Sequence, residues 1–538
     1  MHDALALDDI LHAIVPYLNL KDVLAFAGVC KGWYTVAISQ TMQEKVVTVD
    51  QLLRLIPSHL ILQHKPLTLA KNGSYHPEIF ERMCLMAPRI RNLLLRFWPA
   101  IEYRVFDLLA THVGSAFRSP GLERIDWRIL AQSHVRMLIE LLSPSVHTIK
   151  VLFPNTEPNF PVAELLDSIR TRSPNIRTLA VSILYPSHLF MDAFVSCARS
   201  LNLRRAVLQF NMASNLLLVL ASLPNLQELD CEVHADLAIF EQAQSSHLPP
   251  HSFPALRRLR VNGYHSAWVS ILASVARPSL LEYLRVNMND GLEWTPSAAF
   301  ALIGISTPQL KTLVLRCKIG VRNTDRHDVD HGLVCSPPVG LLQCTLLEYV
   351  HIVYQYALAW TDADMSKIAA ILPCIRILRL NGYPTFSAQE PNCTTKSLGI
   401  FAKHCPRLVE LELFMCVTPP DTSAVVEQTE MRYLDFGKSA FQPGVDPFSL
   451  AHYILETFPR LVELRSAEPD DYPSGSAQPH IPLALATARL QSAHWDDVRG
   501  HYKQLRGGQQ EHAIWDISGR AEVKSLPDDR TEFDTPFP

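Results

Sequence analysis

No stretch of this 538-residue chain carries the local patterns around which enzyme active sites are usually built. There is no G-x-x-x-x-G-K-S/T to cradle phosphates and no G-x-G-x-x-G for a dinucleotide. The G-x-S-x-G nucleophile turn and the H-E-x-x-H metal pair are missing as well. The eleven cysteines are odd in number and scattered, with no C-x-x-C pair. That usage fits a reducing compartment in which cysteine serves as a small core residue. An excess of one charge is also absent: the net charge is −4, which gives no electrostatic case for nucleic acid or an anionic membrane. The start has no basic region and no long apolar core, because Asp8 and Asp9 interrupt it, so no secretory signal is expected. One long uncharged run exists, residues 206–227, but Gln209, Asn211, Ser214, Asn215 and Pro224 argue against a membrane span. What remains is a folded composition, 48 % apolar and 19 % charged, long enough for several domains or for one extended repeat domain with a small module.

Residues 7–37, LDDILHAIVPYLNLKDVLAFAGVCKGWYTVA, read as two short amphipathic helices. Ile10, Leu11, Ile14 and Leu18 recur at the three- and four-residue steps of one helical face. Asp8 and Asp9 stand where a helix start favours negative charge, and Pro16 ends the first helix. Asn19 can cap a second helix carrying Val23, Leu24 and Val29. A unit of about 40 residues cannot bury such a face alone, so it needs a partner or an attached domain.

In spacing this segment resembles the F-box, the module by which substrate receptors attach to the Skp-type adaptor of cullin–RING ubiquitin ligases. The matching residues are Asp9, Ile10, Leu11, Ile14, Tyr17, Leu18, Asp22, Val23, Leu24, Val29, Cys30, Lys31 and Trp33. The family's opening Leu-Pro is replaced by Ala6-Leu7. The resemblance implies an adaptor-binding face comprising Leu7, Ile10, Leu11, Ile14, Tyr17, Leu18, Leu24, Val29, Cys30, Lys31 and Trp33. The other reading of the same residues is a two-helix cap packed on the rest of the chain.

From about residue 85 one phrase returns: Pro, one residue, aliphatic, two residues, aliphatic. Ten copies keep it strictly, at Pro88, Pro120, Pro144, Pro174, Pro224, Pro254, Pro308, Pro373, Pro406 and Pro459. Looser copies such as SLLEYLRVN and CTLLEYVHI stand between them. Successive copies fall roughly 23 to 37 residues apart, the spacing of solenoids. Apolar helix-compatible runs separate them, so each unit reads as helix, Pro-marked turn, short strand. Stacking makes the core continuous where one unit alone has none. The phrase resembles the leucine-rich repeat, L-x-x-L-x-L-x-x-N/C, matched fully by Leu408, Leu411, Leu413 and Cys416. It is matched with one Val by Leu281, Leu284, Val286 and Asn289.

The expected fold class is therefore α/β: a small all-helical F-box module followed by an irregular leucine-rich-repeat-like solenoid, or horseshoe, of strand–helix units. The expected domains are an F-box-like module at 1–45, a helical linker or cap at 46–84, the solenoid at 85–467 and a polar C-terminal tail with one helix at 468–538. Residues 318–340 lengthen one unit with charged and turn-forming residues and read as a surface loop. His327, Asp328, Asp330, His331 and Cys335 within it are metal-capable but close-set and weakly diagnostic, and His404-Cys405 reads as helix end and packing. No catalytic residue, metal site or cofactor is expected.

Outward strand positions alternate with the aliphatics and line the concave side. An acidic strand, Glu228, Asp230 and Glu232, is followed by five strands without a carboxylate. They offer Arg258, Arg260, Tyr283, Arg285, Arg316, Tyr349 and Arg379 as a groove for an acidic or phosphorylated segment of a target protein. After these the sign reverses at Glu410, Glu412, Asp435 and Glu463. The F-box and leucine-rich-repeat resemblances together imply a non-catalytic substrate receptor of an SCF-type ubiquitin ligase. It would bind a Skp-type adaptor and its cullin complex in the cytoplasm or nucleus, without nucleic acid or membrane. A non-ligase repeat scaffold for protein–protein interaction is the alternative.

Overall fold

The computed structural model describes residues 46–53, 61–62, 68–69, 80–95, 103–118, 121–153, 161–183, 186–211, 214–233, 252–263, 265–275, 280–288, 296–317, 339–354, 360–381, 391–422, 425–466 and 481–509, with Ile14 and Leu358 as single positions. The unit of construction is the proline turn. At Ser173–Ile176 the Ile176 N–H donates to the Ser173 carbonyl at 3.3 Å, placing Pro174 second in the turn, where its fixed φ is favoured. The same bond closes the turn from Leu310 to Thr307 at 3.1 Å, Ile375 to Leu372 at 3.2 Å, Leu408 to Cys405 at 3.1 Å and Leu461 to Phe458 at 3.1 Å. The aliphatic residue that closes each turn is fully buried, as Ile176, Leu310, Ile375, Leu408 and Leu461 all are. The next two amides, Arg177 and Thr178, both donate to the His147 carbonyl, so every turn hands the chain to the preceding repeat.

Each repeat contributes one strand. They are β1 (Val46–Thr48), β2 (Asn92–Leu95), β3 (Arg124–Arg128), β4 (Thr148–Leu152), β5 (Thr178–Ser182), β6 (Arg205–Asn211), β7 (Glu228–Val233) and β8 (Arg258–Gly263). There follow β9 (Tyr283–Met288), β10 (Thr312–Cys317), β11 (Tyr349–Val353), β12 (Ile377–Leu380), β13 (Glu410–Leu413), β14 (Tyr433–Asp435) and β15 (Glu463–Arg465). All fifteen form one sheet in which neighbours in sequence are neighbours in space and each pairing is parallel. This is a leucine-rich-repeat-type solenoid of the α/β class. Alternate strand residues such as Leu229, Cys231 and Val233 are buried against the helical layer, and Glu228, Asp230 and Glu232 between them are half-buried on the opposite face.

The helices that return the chain are α1 (Tyr103–His112), α2 (Gln132–Leu141), α3 (Val162–Arg172), α4 (His188–Ser200), α5 (Ser214–Ser222), α6 (His265–Ser274), α7 (Pro296–Ser306), α8 (Asp362–Ile371), α9 (Lys396–His404), α10 (Pro447–Thr457) and α11 (Ile481–Gln509). Several starts are fixed locally. Ser187 accepts from the Phe190 amide, Thr361 and Asp364 make a capping box, and Asp446 accepts from Phe448 and Ser449 with Pro447 at the first helical position. The uncharged run 206–227 is divided between β6 and α5, and no described helix is long and apolar enough to cross a membrane.

Two units depart from the strand–helix rhythm. Before β11 a 3-10 segment, Val339–Gln343, stands beside α7, where a Cβ on Gly304 would lie 1.5 Å from the Gly340 carbonyl oxygen. Only glycine permits that approach. Before β14 no α-helix intervenes among the described residues, and a buried Gln428 satisfies the backbone instead. Its Nε2 donates to the Leu408 carbonyl at 2.8 Å and its Oε1 accepts from the Met431 amide at 2.7 Å.

The ends differ from the expected layout. The sheet begins inside the segment read as a helical linker, because β1 pairs with β2, and the antiparallel pair Ile61–Leu62 and Thr68–Leu69 lies there too. At the other end the one helix read in the polar tail is α11, and it packs on the last repeat. Trp495, Val498 and Tyr502 are buried, Trp495 stacks on Phe436 at 4.3 Å, and the Tyr502 hydroxyl donates to the Leu461 carbonyl at 2.9 Å. The helix therefore closes the apolar end of the last repeat. Residues 318–338, with the metal-capable His327, Asp328, Asp330, His331 and Cys335, lie outside the described residues.

Candidate functional site

On the face opposite the helices, strand register aligns side chains into rows one strand spacing apart, about 4.8 Å. One row reads Glu228, Arg258, Tyr283, Thr312, Tyr349, Ile377 and Glu410 from β7 to β13. The next reads Asp230, Arg260, Arg285, Val314, His351, Arg379 and Glu412. A third holds Glu232, Asn262, Asn287, Arg316 and Val353. Arg258, Arg260, Tyr283, Arg285, Arg316, Tyr349 and Arg379 thus lie on one continuous surface, none of them fully buried.

Its edges are neutralised from within. Arg258 and Arg205 flank Glu228 at 3.9 and 3.3 Å, and Arg260 faces Asp230 at 3.7 Å while its guanidinium lies 5.3 Å from the Tyr283 ring centroid. At the other edge Arg379 Nε donates to Glu410 at 2.7 Å. Arg258, Arg260 and Arg379, read as part of a carboxylate-free block, therefore each meet a carboxylate from the adjoining strand. Reading strands one at a time misses this, because same-row residues on neighbouring strands interact most strongly. A recess of about 110 Å³ lies over Glu228 and Arg260. It is well below the ~300 Å³ at which small-molecule sites begin.

The centre is different. His351, 9 % exposed, has an Nδ1 with no hydrogen-bond partner, and its ring meets Tyr349 edge-on at 6.4 Å between centroids. Burial, then the charges of Arg316, Arg379 and Arg285, push His351 down to about 3, so the ring is neutral at physiological pH. Three guanidinium groups from three strands thus act on one ring in the floor, one of them, Arg379, while it is itself paired with Glu410.

Toward the N-terminal end the middle row is largely apolar or paired: Leu94, Ala180 and Val207 are buried, and Asp126 faces Lys150 at 4.0 Å. Elsewhere the titratable groups are structural. Burial pushes the Cys405 thiol up to about 12, and its Sγ contacts the Ala369 carbonyl oxygen at 3.6 Å, which disables it as a nucleophile. Cys197 and Cys393 are likewise pushed up to about 12 by burial. No group of three or more metal-capable side chains occurs among the described residues. Of the adaptor-facing set, Leu7, Ile10, Leu11, Tyr17, Leu18, Leu24, Val29, Cys30, Lys31 and Trp33 lie outside the described residues, and Ile14 is helical and 39 % exposed.

No known family matches the chain and no curated protein matches it. Among solved structures, 76 chains match. One belongs to the crystal structure of the Rad7 and Elc1 complex in yeast, at 13 % identity and a TM-score of 0.38, covering 88 % of this chain and 91 % of the other. Another belongs to the TLR13–ssRNA13 complex, at 12 % identity and a TM-score of 0.34, covering 73 % of this chain and 54 % of the other.

Proposed function

We propose that the chain is a substrate-recognition subunit of an SCF-type ubiquitin ligase, with the solenoid holding a target protein and residues 7–33 docking on a Skp-type adaptor. The observation that carries this reading is the F-box-like register of Ile10, Leu11, Ile14, Tyr17, Leu18, Leu24, Val29, Cys30, Lys31 and Trp33, placed directly before a solenoid whose first strand is Val46–Thr48. In this role the chain makes and breaks no bond. It raises the effective concentration of a target lysine near a ubiquitin-charged enzyme that the complex supplies. Such a receptor works in the cytoplasm or nucleus, and the free thiols found among the described residues, most of them buried, are compatible with either.

The test is capture of the Skp-type adaptor by the full chain and by its Leu18→Asp/Trp33→Ala double variant. Capture by wild type that disappears in the variant supports the receptor role. Absence of capture by folded wild-type protein overturns it and leaves the repeat scaffold.

A further inference from the structure

We propose that residues 72–310 form an acceptor-free sector, the part of the solenoid within reach of a ubiquitin thioester held by the complex. Arginine stands there in place of lysine, so the thioester modifies the bound target and not the receptor itself. The inference rests on the ligase reading above, through its adaptor-docking half.

The two bases are distributed unequally along the chain. Residues 72–310 hold a single lysine, Lys150, against twenty arginines, whereas the remaining residues hold thirteen lysines and fifteen arginines. A chain-wide bias toward arginine would thin lysine everywhere, but the change here is regional. In the fold the region is one block, because strand order follows the sequence: it contains β2 to β9 and α1 to α7. The one exception is secluded. Lys150 lies on the face of β4 opposite the helices, its side chain only 15 % exposed and its Nζ 4.0 Å from Asp126.

Folding does not demand the exchange. On α3 Arg170 pairs with Asp167, and on α8 Lys367 makes the same i,i+3 pair with Asp364 at 3.5 Å. At the turn edge Glu282 is met by Arg257 at 3.2 Å from one neighbouring repeat and by Lys311 at 3.4 Å from the other. Lys311 is the first residue beyond the sector. The two bases have nearly equal helix propensities, and exposed ion pairs of either kind contribute little. What separates them is nucleophilicity. A lysine amine can lose its proton and attack the carbonyl carbon of ubiquitin's C-terminal thioester. The C–N bond forms as the C–S bond breaks, the amine's proton passes to solvent, and the thiolate stays on the conjugating enzyme. A guanidinium keeps its proton at physiological pH and does not react. The receptor is always in the complex and a target only while bound, so tethering favours self-modification wherever the receptor offers an amine within reach.

The experiment assembles the full-length chain with the Skp-type adaptor, a cullin–RING core and a ubiquitin-charged conjugating enzyme, and maps the conjugated lysines by mass spectrometry. One variant carries Arg136→Lys, Arg170→Lys, Arg177→Lys, Arg204→Lys and Arg257→Lys, all at exposed positions outside the concave rows. A matched variant carries Arg376→Lys, Arg407→Lys and Arg460→Lys, exposed in the far half. Every change keeps the charge, so both variants should fold with the wild-type denaturant midpoint. Wild-type conjugates should fall outside 72–310. The first variant should gain about tenfold more ubiquitin within 72–310 than wild type, and severalfold more per introduced lysine than the far-half variant. Introduced lysines that stay unmodified in 72–310 while the assembly discharges its thioester overturn the proposal. Equal gain per lysine in the two halves overturns it as well, as does wild-type Lys150 carrying as much ubiquitin as lysines outside the sector. Adaptor capture is measured first. Its absence overturns the ligase reading and this inference together, whereas capture without the expected gain overturns this inference alone.

Discussion

Replacing Trp495 by Ala should loosen the C-terminal end of the solenoid and nothing else. The indole is 2 % exposed, stacks on Phe436 at 4.3 Å, meets Phe441 edge-on at 4.7 Å and donates from Nε1 to the Ser439 carbonyl at 3.2 Å. Ser439 in turn accepts from the Met415 amide at 2.8 Å and donates to the Leu413 carbonyl at 3.2 Å, so the indole braces the loop that joins β14 to the end of β13. Truncating a buried tryptophan costs about 3–5 kcal/mol in cavity and lost contact. At 1.4 kcal/mol per tenfold, amide exchange that proceeds through opening of this end should accelerate by roughly two to three and a half orders of magnitude. In a solenoid the loss is passed only to nearest neighbours. Hydrogen exchange should therefore speed up at Tyr433–Asp435 and Glu463–Arg465 while β3 to β5 keep the wild-type rate. Unchanged exchange at β14 and β15, or uniform acceleration along the whole sheet, would refute the view that α11 is a cap.

Three other outcomes follow from single contacts. Asp362 accepts from the Thr394 amide at 2.8 Å, the Thr394 hydroxyl at 2.7 Å and the Ser397 hydroxyl at 2.6 Å, tying α8 to the start of α9, so Asp362→Asn should cost about 1–2 kcal/mol, read from the denaturant midpoint. Gln428→Leu strands the Leu408 carbonyl and the Met431 amide in the core and should cost roughly 2–5 kcal/mol; a shift below 1 kcal/mol would show that other groups satisfy them. Acid should weaken the fold through His134, which burial lowers from 6.5 to about 4 while the Leu130 amide donates to its Nδ1 at 3.1 Å. Between those two values the unfolded chain takes up a proton that the folded one does not, so stability is full above about pH 6.5 and falls by roughly 1–3 kcal/mol toward pH 4. His134→Asn, already weaker at pH 7, should lose less over the same range.

The repeat was legible because its signal is local. Pro174 or Pro308 sets a turn four residues long, and the aliphatic residues three and six places after the turn's first residue point into the core whatever repeat comes next. The outward rows could be read for the same reason, since a strand's two faces follow from its own alternation. What escaped depended on another part of the chain. β1 has no Pro-marked phrase and is defined only by its pairing with β2. The turn before β14 is held by Gln428, a polar residue whose role is visible only once the Leu408 carbonyl is seen beside it. The packing of α11 did leave a trace: Trp495, Val498 and Tyr502 fall at i, i+3 and i+7, a one-face apolar stripe within a polar segment.

Charge on the concave face shows why composition along single strands misleads. Arg258, Arg260 and Arg379 look like free cations in the sequence, yet each meets an acid contributed by a strand about 30 residues away in the chain. Their guanidinium groups are only partly exposed, so those pairs hold side chains in place more than they stabilise the fold. An acidic partner that sought these margins would have to displace Glu228, Asp230 or Glu410 and gain little by the exchange. A basic groove flanked by its own carboxylates is thus a narrower recognition surface than five aligned arginines suggest.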